Sequence, residues 1–329
     1  HGTAKTTLCR RLAEALGLKF FAYDASKALF EDMIGFPNPD SISRGEIEYV
    51  PTKLSIWDKE FILIDEISRA RAEMQNKWLE IVRGRQVMGM KAEKLKYVFA
   101  AMNPPSYAGA NPLDEALAGR FAFIIEVPRV SEMCEDEVRK VINNSSEEDA
   151  AAMGGKNHAV PAEVTGTLNG FLAAARLRMG EINSALGRGI DDYLVKFLFF
   201  ASNKGVHIDG RRAGMLKRNI LAYLAADELS GGKRPAVFEQ ASELVFEAVW
   251  HSMPFSAMND EVPREKIRYL HESAAAFASE ENLAVLELKS PEDVERIDGS
   301  RLREKYHFFR PALTCVIEKA TSKAGGEDK

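Results

Sequence analysis

An α/β fold is what this sequence predicts: a parallel sheet flanked by helices, followed by an all-α region. Three observations carry the prediction. Small residues, a lysine and threonines at 2–7 run directly into an amphipathic helix. Two short, fully apolar runs, Phe61-Ile62-Leu63-Ile64 and Tyr97-Val98-Phe99-Ala100-Ala101-Met102, each end in polar side chains. The first reads as a buried parallel strand, covered on both faces, and the second as another apolar strand. Further on the apolar spacing turns helical, at Ile190, Leu194, Phe197, Leu198 and Ala201, then at Leu216, Ile220, Tyr223 and Leu224.

The first segment reads His-Gly-Thr-Ala-Lys-Thr-Thr-Leu. It follows the second half of the phosphate-loop pattern Gly-x-x-x-x-Gly-Lys-Ser/Thr, whose first glycine would precede residue 1. Gly2, Thr3 and Ala4 let backbone N–H groups approach a polyphosphate closely, and the positive end of the following helix faces the same phosphates. Lys5 would reach the terminal phosphates, Thr6 would offer its hydroxyl to Mg²⁺, and Thr7 could meet the α-phosphate. The helix has Leu8, Leu12, Ala15 and Leu16 at helical spacing and Gly17 to end it. A cluster of this composition also serves as an ordinary helix cap, so a second motif is needed.

Asp65-Glu66 supplies it. The two acids close the Phe61–Ile64 strand, 60 positions after Lys5 (65 − 5). They sit where open α/β sheets bind nucleotides, at the carboxyl edge. Asp65 suits a metal ligand and Glu66 a base that orients and polarises a water. Asn103 ends the Tyr97 strand, where an amide can hold that water; its plainer role is to open a turn before Pro104-Pro105. Pro112 to Phe121 reads as a helix bearing Arg120, leading into a strand Phe123-Ile124-Ile125-Glu126-Val127. An arginine there suits a finger offered to a neighbouring subunit's nucleotide, or is simply solvated at a helix C-terminus.

Taken in order, these residues resemble the MoxR group of AAA+ ATPases, in the clade with a helix-2 insert that also holds magnesium-chelatase and dynein-like modules. The likeness covers about residues 1–255 and rests on Gly-Thr-Ala-Lys-Thr (2–6), Ile-Asp-Glu-Ile-Ser-Arg-Ala (64–70), Gly-Arg-Gln-Val (84–87), Met-Asn-Pro-Pro (102–105) and Leu-Asp-Glu-Ala-Leu-Ala-Gly-Arg-Phe (113–121). In family terms these look like Walker A, Walker B, the start of a pre-sensor hairpin, sensor 1 and the arginine finger. Asp209-Gly210-Arg211-Arg212-Ala213 falls at the sensor 2 position, with Arg212 the first choice and Arg211 the second. Gly-Arg-Arg-Ala departs there from the usual Ser-Pro-Arg-Ala, and Ser68-Arg69 from the usual Asn-Arg. The resemblance implies a P-loop AAA+ sheet with an all-α lid, ATP and Mg²⁺ as cofactors, and a homo-oligomeric ring, typically a hexamer. It further implies chaperone-like action on a protein client, with proteins bearing a von Willebrand factor A domain as the partner class. The turn-rich stretch 34–40 and the alternating Ile47-Glu48-Tyr49-Val50 resemble the insert, elsewhere often a substrate contact; an ordinary surface loop fits them equally.

Composition bounds the rest. The chain has 329 residues, 46% hydrophobic and 28% charged, enough for about two domains with a large core. The organisation expected is a nucleotide-binding subdomain over 1–130, a helical lid over 131–255 with a polar linker near 143–161, and a helical extension over 256–329. A net charge of −5 offers no global field for nucleic acid, and no apolar run approaches the ~20 residues that span a bilayer. Cys9, Cys134 and Cys315 are scattered, without zinc or disulfide spacing, and fit a reducing cytoplasm. A nucleic-acid motor of the same clade and a nucleotide-binding scaffold without turnover are the competing functions; Glu66 argues against the second.

Overall fold

A computed structural model of the chain describes residues 4–46, 48–104, 112–128, 130–139, 141–143, 162–258 and 262–278. They divide between two compact units, the first holding the described residues up to 177 with those of 251–262, and the second those of 178–250 with 263–278.

In the first unit, helix α1 (Lys5–Ala15) leads to strand β1 (Phe20–Asp24). Gly17 ends the helix at φ +68, and the amides of Gly17 and Leu18 bond back to the carbonyls of Glu14 and Ala13 at 3.0 and 2.9 Å. That pair of bonds satisfies carbonyls the helix cannot, and a left-handed glycine makes it possible. Helix α2 (Phe30–Ile34) is followed by the short strand β2 (Phe36–Pro37), helix α3 (Pro39–Ser43) and the short strand β3 (Tyr49–Val50); the two strands bracket α3 in sequence and pair antiparallel. Asn38 caps α3 by accepting the Asp40 amide at 3.1 Å, with Pro39 preset for the first turn. Gly35 enters this hairpin at φ +100, where a Cβ would lie 2.1 Å from the Val50 carbonyl oxygen. The hairpin therefore depends on glycine at that position. Ile47, which opens the alternating stretch read from the sequence, lies outside the described residues.

Strand β4 (Phe61–Asp65) is the middle of a three-stranded parallel sheet, flanked by β1 and a later strand (Tyr97–Ala100). Phe61, Ile62, Leu63 and Ile64 are all fully buried. Phe61 and Leu63 pack with Cys9, Ala13 and Leu16 of α1; Ile62 and Ile64 lie in the opposite cluster with Trp78 and Ile81 of α4 (Ala72–Gly84). Period-two alternation thus explains how one uniformly apolar strand serves two helical layers. Each of the four side chains contributes about 1.5–3 kcal/mol on burial. Gln86–Val87 (β5) and Met90–Lys91 (β6) make a hairpin after α4, as the family resemblance of the Gly-Arg-Gln-Val segment implies, and Tyr97–Ala100 is β7.

One expected strand is absent. Residues 123–127 are irregular; the Ile124 amide donates to the His251 carbonyl at 2.6 Å, and Ile125 is largely exposed. An apolar run becomes a strand only where a neighbour completes its ladder, and no described strand lies beside this one. Arg120 stands just beyond the short helix α5 (Glu115–Ala118), whose cap, Asp114, accepts the Ala116 amide at 2.9 Å.

The division between the units falls inside helix α6 (Ala162–Asn203), 42 residues long. The expected linker near 143–161 lies outside the described residues from 144 onward. The second unit combines the end of α6 with α7 (Gly210–Leu229), α8 (Phe238–His251, of which Phe238–Trp250 belong here) and α9 (Arg264–Ala278). Ile190, Leu194, Phe197 and Ala201 form one buried stripe, Leu216, Ile220 and Leu224 another, as their spacing predicts.

A polar chain crosses this core. Tyr193 Oη lies 2.9 Å from His271 Nδ1, and His271 Nε2 lies 3.0 Å from Ser242 Oγ. A neutral imidazole has one donor and one acceptor, and the two hydroxyls match either tautomer. Burial lowers the His271 pKa to about 4, the nearby Glu243 carboxylate opposing and Arg268 assisting. The unfolded ring takes up its proton near pH 6.5 and the folded ring only near 4. Acidification between those values therefore favours unfolding, at a cost of about 3 kcal/mol by pH 4, whereas above pH 6.5 the contribution is complete. Chemical denaturation across this window should show the loss, and His271→Gln should flatten its pH slope.

Candidate functional site

The carboxyl edge of the sheet gathers the candidate residues. Asp24 and Asp65 are register partners at the ends of β1 and β4, and the Ala25 amide donates to the Asp65 carbonyl at 2.8 Å. Just across from this edge, α1 begins at Lys5, preceded by Ala4 in the left-handed region at φ +53. Thr6, one residue into the helix, donates its hydroxyl to Asp65 Oδ2 at 2.6 Å. Residues 59 apart in sequence are thus in direct contact. The other oxygen of Asp65, Oδ1, accepts the Glu66 amide at 3.0 Å. Ala4, Lys5, Thr6 and Thr7 occupy the start of the helix; Gly2 and Thr3 lie outside the described residues.

Glu66 turns the chain away from the sheet. Its backbone is left-handed at φ +53 and ψ +38, rare for a side chain of this size and costing about 1–3 kcal/mol. The Ile67 amide, donating to the Ala101 carbonyl at 3.1 Å, anchors the turn to the neighbouring strand. Ile67 and Ser68 are fully buried beneath it. Asn103, only 1% exposed, sits past the end of β7 and donates Nδ2 to both Glu66 oxygens, at 3.1 and 3.2 Å. A buried amide committed to a carboxylate is more than the opening of a turn. Arg69 Nε completes the group 3.3 Å from Glu66 Oε2. Sequence reasoning gave Arg69 no role, although a residue three positions on in a tight turn shares the face of the first.

Thr6, Asp65, Glu66 and Asn103 therefore converge. The hydroxyl and carboxylate of the first two are hard oxygen donors, suited to Mg²⁺, which takes one or two protein oxygens and completes its shell with water and phosphates. Among the described residues no group of three or more His, Cys, Asp and Glu forms a self-sufficient cage, and a magnesium shared with phosphates needs none. Cys9, one helical turn from Lys5, is no nucleophile: burial, reinforced by the Asp65 charge, raises its thiol to about 11. Arg120 is half-buried beyond α5. Arg212, in the second unit, is 4% exposed, and its backbone amide donates to Asp209, the cap of α7, at 2.6 Å. Burial lowers its pKa, partly offset by Asp209, while Arg211 is exposed.

Residues 1–121 match the AAA domain of the dynein-related subfamily. Chaperone MoxR1 of Mycobacterium tuberculosis (strain ATCC 25618 / H37Rv) is 34% identical over 131 residues, which are 38% of this chain and 34% of that protein. The chain thus spans about a third of the length of this curated relative. A solved structure from Cytophaga hutchinsonii ATCC 33406, provisionally assigned as an ATPase, superposes with a TM-score of 0.56 at 19% identity, covering 83% of this chain and 82% of that one. At that identity it bears on the fold alone: a parallel sheet between helices with a helical region after it. Among the described residues, no helix is long and apolar enough to cross a membrane. With the order of motifs and the contact between Thr6 and Asp65, these likenesses show that residues 1–121 match an AAA domain of the dynein-related subfamily and that a 131-residue stretch of the chain is similar to a MoxR chaperone.

Proposed function

We propose that this protein hydrolyses ATP and uses the turnover to remodel or activate a partner protein, as a chaperone-like hexameric ring in the cytoplasm. The observation that carries the proposal is the 2.6 Å contact between Thr6 and Asp65, beside a glutamate held by a buried asparagine. Lys5 binds the terminal phosphates, with Gly2, Thr3, Ala4 and Thr7 wrapping the rest. Thr6 and Asp65 hold Mg²⁺, which when bound neutralises charge on the transferred phosphoryl group. Glu66 accepts the proton of the attacking water and Asn103 orients it. Arg212 serves as sensor 2 from the lid, and its burial favours it over Arg211.

The client would meet the insert. Phe36, Val50, Met88 and Met90 are exposed, and the Tyr49 hydroxyl, 3.8 Å from the Met88 sulfur, ties the β2–β3 hairpin to the β5–β6 hairpin. Apolar side chains exposed together mark a protein-binding surface, here suited to a client such as a von Willebrand factor A domain protein.

Arg120 acts on the nucleotide of the next subunit. Arg120→Ala and Glu66→Gln should each be inactive in phosphate release. Mixed, they should regain partial activity, because some interfaces then pair an intact finger with an intact base. No recovery at any ratio would contradict a finger working between subunits.

A further inference from the structure

Two donors from two different elements hold Glu66. Asn103 Nδ2 lies almost midway between the carboxylate oxygens, at 3.1 and 3.2 Å. A donor midway between both oxygens leaves the carboxylate plane able to turn about the axis through that donor. Arg69 opposes that rotation. Its Nε lies 3.3 Å from Oε2. The Arg69 amide also donates to the Glu66 carbonyl at 2.8 Å, so the spacing of the two residues is set by the turn itself. That turn is rigid at its base, with Ile67 and Ser68 buried, while the Arg69 side chain is 40% exposed. A group that must take a proton from a water gains rate by being held in one rotational state.

We propose that Arg69 is a positioning residue for Glu66: with Asn103 it fixes the carboxylate in a single orientation toward the reacting water, supporting turnover but not nucleotide binding. The inference rests on the reading of Glu66 as the base. An exposed ion pair has modest strength, so the effect is a tuning of rate and not an on–off requirement.

The test compares Arg69→Met, which keeps the stem without the guanidinium, with Arg69→Lys, which keeps the charge. For the purified protein, kcat and KM for ATP, ADP affinity and melting temperature are measured beside Glu66→Gln. Arg69→Met should lower kcat about fivefold with KM, ADP affinity and melting temperature unchanged. Arg69→Lys should recover most of that loss. A kcat for Arg69→Met equal to wild type, while Glu66→Gln is inactive, overturns the positioning role. So does a lowered melting temperature that Lys fails to restore, which would mark a structural contact. Turnover retained by Glu66→Gln overturns the reading of the base and this inference with it.

Discussion

Glu66→Gln should retain nucleotide affinity while its turnover falls about 10²–10⁴-fold, the usual contribution of a positioned general base. The substitution is nearly isosteric, and it should leave intact the sheet, the Thr6–Asp65 contact and the anchoring of Ile67 to Ala101. Its amide can still accept from Asn103 and Arg69 through one oxygen. What disappears is the basic oxygen. Phosphate release measured with ATP binding gives the result, and wild-type turnover would remove Glu66 from the chemistry. The same variant should hold client and nucleotide together, which makes it a trap for identifying the client by affinity capture.

Lys5→Ala should act on binding. The residue opens α1, where unsatisfied amides and the helix dipole already favour anions, and its ammonium adds a charge-assisted hydrogen bond to phosphate. Hydrogen bonds to charged groups contribute about 1.5–3 kcal/mol, so nucleotide affinity should weaken about 10- to 100-fold. Lys5 belongs to neither of the hydrophobic clusters that flank the sheet. Calorimetric titration with ADP gives the answer, and unchanged affinity would contradict the phosphate-loop reading of residues 2–7.

Much of the candidate site's edge was legible before any coordinates. Parallel strands between helices are short and continuously apolar, so Phe61–Ile64 and the Tyr97 run stood out; the first is fully buried, the second leaves Phe99 exposed, and the polar residues at their ends sit at one edge of a sheet. Gly17 was an equally local signal, whereas the hairpin after Gly84 was expected from the family resemblance. What escaped depends on contacts distant in sequence. Residues 123–127 have the composition of a strand, but a ladder needs a neighbour that composition does not supply. The chain from Tyr193 through His271 to Ser242 joins residues 78 and 29 positions apart, none with a recognisable motif. The left-handed backbone of Glu66 was invisible because glycine normally announces such a turn, and here it is a glutamate. Arg69 was overlooked for the same reason, since the turn that brings it back to Glu66 is set by that conformation.

The most direct measurement is a crystal structure of the protein with magnesium and a non-hydrolysable ATP analogue. The account predicts that Thr6 Oγ1 and Asp65 part from each other to share the ion, that Lys5 meets the terminal phosphates, and that Glu66 and Asn103 face the γ-phosphate across one water. Nucleotide density away from α1, with the Thr6 hydroxyl still donating to Asp65, would contradict it.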